Sequence, residues 1–84
     1  MNLQTQFKTA QKDVLTLSKR PDNNVLLELY ALFKQGNEGD VTGQKPGILD
    51  FVKKAKYEAW ENKKGMSKKE AMQAYVDLVD RLKK

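Results

Sequence analysis

The chain contains no cysteine and no histidine. The first absence excludes disulfides and thiolate-based zinc sites. The second removes the commonest general base, the usual nucleophilic triads and most transition-metal sites. Carboxylates or lysines could still do chemistry, but the expectation is a protein that is not an enzyme, with no catalytic residue, no metal and no cofactor. Arginine is scarce, with only Arg20 and Arg81. No apolar run approaches the roughly 20 residues of a membrane span, so stable membrane insertion is not expected. The N-terminal stretch MNLQTQFKTA lacks the apolar core of a signal peptide, which leads to an expectation of a soluble cytoplasmic protein. Internal repeats, low-complexity segments and strand-like alternation are all missing.

What is present is charge and helical periodicity. Sixteen basic residues against eleven acidic ones give a net charge of +5 across 84 residues. That balance favours an anionic partner: nucleic acid, an acidic membrane face or a phosphorylated small molecule. The length suits one domain, residues 1–84, with a small core. Leu3, Phe7, Ala10, Val14 and Leu17 recur at intervals of four and three, which predicts an amphipathic helix from Leu3 to about Ser18. Pro21 disfavours helix at Arg20. Asp22, Asn23 and Asn24 are all good N-caps for a second helix over about Val25 to Gln35, with Gly36 placed to close it. Residues 36–47 hold four glycines and a proline, a long connection for so small a domain. A third helix is expected over about Ile48 to Lys64, with Asp50 near its positive end and Gly65 as its C-cap. Ser67 and Glu70 have capping-box spacing, and Ala71, Tyr75, Leu78 and Leu82 form the stripe of a fourth helix.

Three places along the chain do not look like plain core. On a helical wheel Leu26, Tyr30, Phe33 and Lys34 fall within an arc of about 100°. Tyr30 and Lys34, four apart, can offer one O–H and three N–H donors to the same anion. They can equally be a core tyrosine with its hydroxyl at the edge and a lysine reaching past it to water. Val52, Lys56 and Trp60 lie on one line of the third helix, so Lys56 interrupts an apolar stripe; a buried ammonium needs an anion or a route to solvent. Tyr75 occupies a stripe position where leucine would suffice, and its hydroxyl calls for a partner, a backbone carbonyl or a ligand. Lysines provide point charge for phosphate and aromatics a flat face for a base, so the combination fits a nucleotide bearing a phosphate. The paired lysines at 53–54, 63–64, 68–69 and 83–84 read most simply as solvated faces.

The ordered segments LLELYALFKQGNEGD, KPGILDFVKKAKYEAW and KGMSKKEAMQAYVDLV, with Phe7, Ala10, Val14, Leu17 and Pro21 ahead of them, resemble the acyl-CoA-binding protein family. The resemblance runs from about Phe7 to the C-terminus. It implies an all-α, four-helix, up-down-down-up bundle with a long loop between the second and third helices. It also implies non-covalent carriage and buffering of medium- to long-chain acyl-CoA esters, and a monomer is expected. In that family the residues matching Tyr30, Lys34 and Lys56 contact the 3′-phosphate of CoA. The aromatic matching Phe33 lies against adenine, and the tyrosine matching Tyr75 lines the nucleotide site. Leu15, Ala31 and Leu32 join the expected ligand set, with Val14, Leu26 and Leu27 as candidates for an apolar groove that also takes in Phe7 and Ala55. This chain departs from the family's usual tyrosine at Phe33, its frequent lysine at Leu15 and its usual tryptophan at Tyr57. The competing reading is a basic helical nucleic-acid-binding module, and acids interleaved among the lysines argue against it. Nucleic acid is therefore not an expected partner. A purely structural interaction domain would leave Lys56 unexplained.

Overall fold

The computed structural model describes residues 2–84. Helix α1 spans Leu3–Asp13 and passes into a single 3₁₀ turn, Val14–Thr16; α2 spans Asn23–Glu38, α3 Phe51–Glu61 and α4 Lys68–Lys83. There is no strand among the described residues. Met1, part of the expected 1–84 domain, lies outside them.

Each helix starts on a side chain that accepts from a free backbone N–H: Asn2 from Thr5, Asp22 from Val25, Asp50 from Lys53 and Ser67 from Glu70. Such caps stabilise a helix by about 1 kcal/mol each. At α4 the capping box is complete, with the Glu70 carboxylate accepting from the Ser67 N–H at 3.1 Å.

The bundle directions follow from contacts. Lys83 pairs with Asp13 at one end of α4, while Lys68 at the other end shares a groove with Leu3, so α1 and α4 run parallel. Gln35, late in α2, bonds the carbonyl of Met66 just ahead of α4, whereas Tyr75 further along α4 meets Leu29, so α2 runs against α4. Lys56 rests on Tyr30 and Trp60 lies beneath Lys34, so α3 runs parallel to α2. The order is up-down-down-up. Two parallel neighbours oblige the chain to travel back about 16 Å, the length of α3 at about 1.5 Å per residue, and residues 39–50 make that journey. They are strapped to α3: the Trp60 indole N–H donates to the Gly39 carbonyl at 2.8 Å, the Tyr57 hydroxyl to the Gly43 carbonyl at 3.2 Å, and Lys45 pairs with Glu58.

Four expectations of boundary and burial change. The first α-helix stops at Asp13 rather than Ser18, where the Thr16 hydroxyl donates to the Asp13 carbonyl and Leu17 turns extended. The second runs past Gly36 to Glu38, and Gly39, at φ +81°, ends it. Gly36 is instead a packing glycine: a Cβ there would come within 3.0 Å of Phe7 Cζ and 3.2 Å of Met72 Cγ. The third begins at Phe51, because Ile48 and Leu49 form a turn closed by the Asp50 N–H on the Gly47 carbonyl. It ends at Glu61, and residues 62–65 close in tight turns up to Gly65 at φ +94°. In α4 the deepest stripe is Ala71, Tyr75 and Val79, with Leu78 and Leu82 half-buried beside it.

The core joins α1, α2 and α4 through Phe7, Ala10, Leu29, Leu32, Ala71, Tyr75 and Val79. The Phe7 and Tyr75 rings meet edge to face at 5.1 Å. At the junction of three segments, Gln35 Nε2 donates to Asp40 Oδ1 at 2.9 Å and to the Met66 carbonyl at 2.7 Å, and the Gly65 N–H donates to the same Asp40 oxygen at 2.9 Å.

Two predictions follow from this packing. Gly36→Val forces a branched side chain against the buried Phe7 ring and is expected to destabilise the fold by about 2 kcal/mol in urea unfolding. The Gly65 N–H, followed by the Gln35 amide, holds the Asp40 carboxyl below its ordinary value of 3.8. A carboxyl depressed by folding stabilises the fold above its unfolded pKa and loses that contribution as pH falls through the folded value. The difference in urea midpoint between wild type and Asp40→Asn is therefore expected to hold steady near neutral pH and to shrink as pH drops below 3.8.

Candidate functional site

Three clefts meet at Tyr30. The largest, about 460 Å³, opens between the start of α2 and the start of α3, with Leu26, Leu27, Phe51, Val52 and Ala55 as its apolar walls. Arg20 and Lys56 stand on its border. A second, about 220 Å³, lies between α2 and α3 further along and is lined by Tyr30, Lys34, Lys53, Lys56, Tyr57 and Trp60, with Pro46. The third, about 300 Å³, lies on the other side of α2, where Val14 and Leu15 face Leu26, Phe33 and Tyr75. The fold explains the convergence. Tyr30 is at mid-helix on the one element that packs against both α3 and α4, so its ring borders the seams on either side.

The electrostatics differ from cleft to cleft. In the second, the Lys34 ammonium ion-pairs with Glu38 one turn on and lies 4.8 Å from the Trp60 ring centroid. The Lys56 ammonium lies 5.3 Å from the Tyr30 ring centroid. Each such contact with an aromatic face is worth about 0.5–1 kcal/mol at an exposed position. Lys53 reaches Asp50 only at 3.8 Å. Lys56 has no carboxylate partner among the described residues, so this cleft carries positive charge that is only partly compensated. The third cleft has no charged side chain in its wall. Burial pushes the Tyr75 hydroxyl above its ordinary value of 10.0, which keeps it protonated and able to donate.

The residues expected at the site divide into three groups. Tyr30, Lys34 and Lys56 come together in the positive cleft. Phe33, Tyr75, Val14 and Leu15 come together in the uncharged one, and Leu26 and Leu27 line the large apolar one. Leu15 is exposed at the mouth of its cleft. Ala31 and Leu32 are placed elsewhere: at 0 % and 2 % exposure they are sealed within the packed helices and line none of these clefts. Leu32, about 200° round the axis from Tyr30, faces the central core, and Ala31 is fully covered. Phe7, expected in the apolar groove, is a core residue whose edge shows only on the opposite face, beside Lys8 and Lys68. Arg20, Phe51, Lys53 and Trp60 were not among the expected ligand residues. Val52 and Trp60 share the Lys56 line of α3, a signal that pointed to their face; Arg20, in an irregular segment, gave none.

Comparison with known proteins bears on the family and the fold. A family model described as acyl CoA binding protein matches residues 4–79. The acyl-CoA-binding protein homolog 1 of Caenorhabditis elegans is 53% identical over 76 residues, covering 90% of this chain and 88% of that protein. The acyl-CoA-binding protein homolog of Manduca sexta is 48% identical over 83 residues, covering 98% and 92%. The crystal structure of Oryza sativa acyl-CoA-binding protein 2 superposes with a TM-score of 0.92 at 37% identity, covering 96% of this chain and 90% of that one.

Because Glu38 competes for the Lys34 ammonium, Glu38→Gln is expected to tighten binding of a simple anion such as inorganic pyrophosphate by about two- to fivefold, the range set by exposed ion pairs. Titration followed by the fluorescence of Trp60, the only tryptophan, checks it.

Proposed function

This chain belongs to the acyl-CoA-binding protein family, and we propose that it carries and buffers medium- to long-chain acyl-CoA esters, holding them non-covalently within a single domain over residues 1–84. The observation that carries this reading is the meeting of three clefts of different chemistry at Tyr30.

An acyl-CoA ester has three parts to satisfy. Its phosphates suit the positive cleft, where Lys34 and Lys56 donate charge-assisted hydrogen bonds and the Tyr30 hydroxyl adds a neutral one. Its adenine suits the uncharged cleft, where Phe33 supplies a flat face and Tyr75 a polar edge. Its acyl chain suits the largest cleft, between Leu26 and Leu27 on α2 and Val52 and Ala55 on α3. With phenylalanine at position 33, stacking is retained and a hydroxyl contact is lost; with leucine at position 15, no ammonium reaches the ligand from that side. No bond is made or broken, so the role is carriage and not catalysis.

Magnitudes rank the three parts. Burying roughly a dozen methylenes at about 0.8 kcal/mol each gives about 10 kcal/mol, an upper figure before ordering costs. Partly exposed charge-assisted hydrogen bonds give about 1.5–3 kcal/mol each. The chain therefore dominates affinity and the head group fixes orientation and selects CoA.

Titration calorimetry is expected to show palmitoyl-CoA binding at least about a hundredfold more tightly than free CoA. Equal affinities would overturn the proposal. Lys56→Met is expected to weaken both ligands by a similar factor, about tenfold, because it removes a contact to the part they share.

A further inference from the structure

The largest cleft is apolar in its middle and polar at both ends. At one end stand Tyr30 and Lys56, which it shares with the cationic cleft, so a thioester joining acyl chain to head group lies there. At the other stand Arg20, ahead of α2, and Asn23, its first residue, with Phe51 at the start of α3. The walls between are Leu26, Leu27, Val52 and Ala55. An acyl chain that ends in a methyl group makes no use of a guanidinium and an amide at its tip.

Both groups are free to act. Neither the Arg20 guanidinium nor the Asn23 amide has a hydrogen-bond or ion-pair partner among the described residues. The nearest aspartates are engaged elsewhere: Asp22 accepts from the Val25 N–H at 2.9 Å, and Asp50 caps α3 and lies 3.8 Å from Lys53. Pro21 keeps the Arg20 backbone out of helical geometry, so the side chain leaves from the irregular segment ahead of α2. Covering apolar surface with a long stem is a task lysine performs equally well. Only two of the sixteen basic residues are arginine, and this one puts a planar fork of N–H donors where it can meet both oxygens of a carboxylate.

We propose that this end of the cleft receives an ω-carboxylate on Arg20, so that the protein carries mono-CoA esters of long-chain dicarboxylic acids beside those of ordinary fatty acids. The inference rests on the carrier reading above and narrows it to a further ligand class. Chain length decides the outcome. From Asn23 to Tyr30 the cleft runs about 10 Å along α2. Carbon–carbon bonds of about 1.5 Å at tetrahedral angles cover that distance in about eight steps. A diacid chain shorter than this stops its carboxylate among Leu26, Leu27, Val52 and Ala55, short of Arg20, and is rejected because a charge there is unpaired and poorly hydrated. A longer chain delivers the carboxylate to Arg20 and to water.

Titration calorimetry with four ligands tests this: hexanoyl-CoA, hexanedioyl-CoA, dodecanoyl-CoA and dodecanedioyl-CoA. Wild type is expected to bind the six-carbon diacid ester at least about tenfold more weakly than its monoacid counterpart, and the twelve-carbon diacid ester within about threefold of its counterpart. Arg20→Met keeps an apolar stem and removes the fork; it is expected to widen the twelve-carbon gap to about tenfold, with Arg20→Lys falling between. Because each gap compares two ligands on one protein, a general loss of affinity or folded fraction cancels from it. A twelve-carbon gap of tenfold or more in wild type overturns the proposal, as does a gap that Arg20→Met leaves unchanged or a six-carbon gap as small as the twelve-carbon one. Should dodecanoyl-CoA itself fail to bind wild type, the carrier reading falls and takes this inference with it; if it binds and the gaps disagree, this inference alone falls.

Discussion

The side-chain amide of Gln35, fully buried, holds the rest of the architecture in register. From the end of α2 it donates to Asp40 at the start of the return loop and to Met66 at the entry to α4. Asp40 in turn takes the backbone N–H of Gly65, so three segments that share no helix meet on two polar side chains. The Gln35 side chain is the buried member, so a register that separates it from Asp40 and Met66 leaves its amide N–H groups without water or a mate, at about 1–3 kcal/mol. The start of the return loop is thereby fixed, and Trp60 and Tyr57 tie the following stretch along α3.

That constraint shapes the site. Because α2 and α3 run parallel, the connection between them must retrace α3, and hydrogen bonds from Tyr57 and Trp60 tie it there, with Pro46 in the wall of the cationic cleft. The seam between the starts of α2 and α3 is left open, with only α1, α2 and α4 closing around the central core. Tyr30, on the helix common to both packings, borders the seams on either side. The result is three neighbouring environments, apolar, cationic and neutral aromatic, separated by one ring. The function proposed for this site uses that division, with the apolar chain, the phosphates and the base of one ligand each assigned to a different environment.

Much of this was legible in the chain. Asp22, Ser67 and Glu70 marked helix starts through the chemistry of capping, which needs only neighbours three residues away. Tyr30, Lys34, Lys56 and Tyr75 stood out as polar groups in apolar stripes, and the family resemblance gave them a common purpose. Gly36 was misread as a helix stop, since glycine in sequence has two meanings, freedom to take positive φ and absence of a Cβ, and only the approach of Phe7 and Met72 shows that the second applies. Ala31 and Leu32 joined the expected ligand set through the resemblance, and the packing of the helices buries both.

The sequence by itself determined the helices, their polar starts, the need for a long loop and the residues too polar to be ordinary core. These are properties of local periodicity and of short-range hydrogen bonding, and they are written in residues close along the chain. The tertiary structure alone decided which neighbour fills each angle around each helix. It set Lys56 on the Tyr30 face, buried Ala31 and Leu32, and brought Arg20 to the apolar cleft. The physical reason is that periodicity fixes a side chain's direction from its own axis, whereas burial depends on what lies at the end of that direction, and contacts between residues distant in sequence supply it.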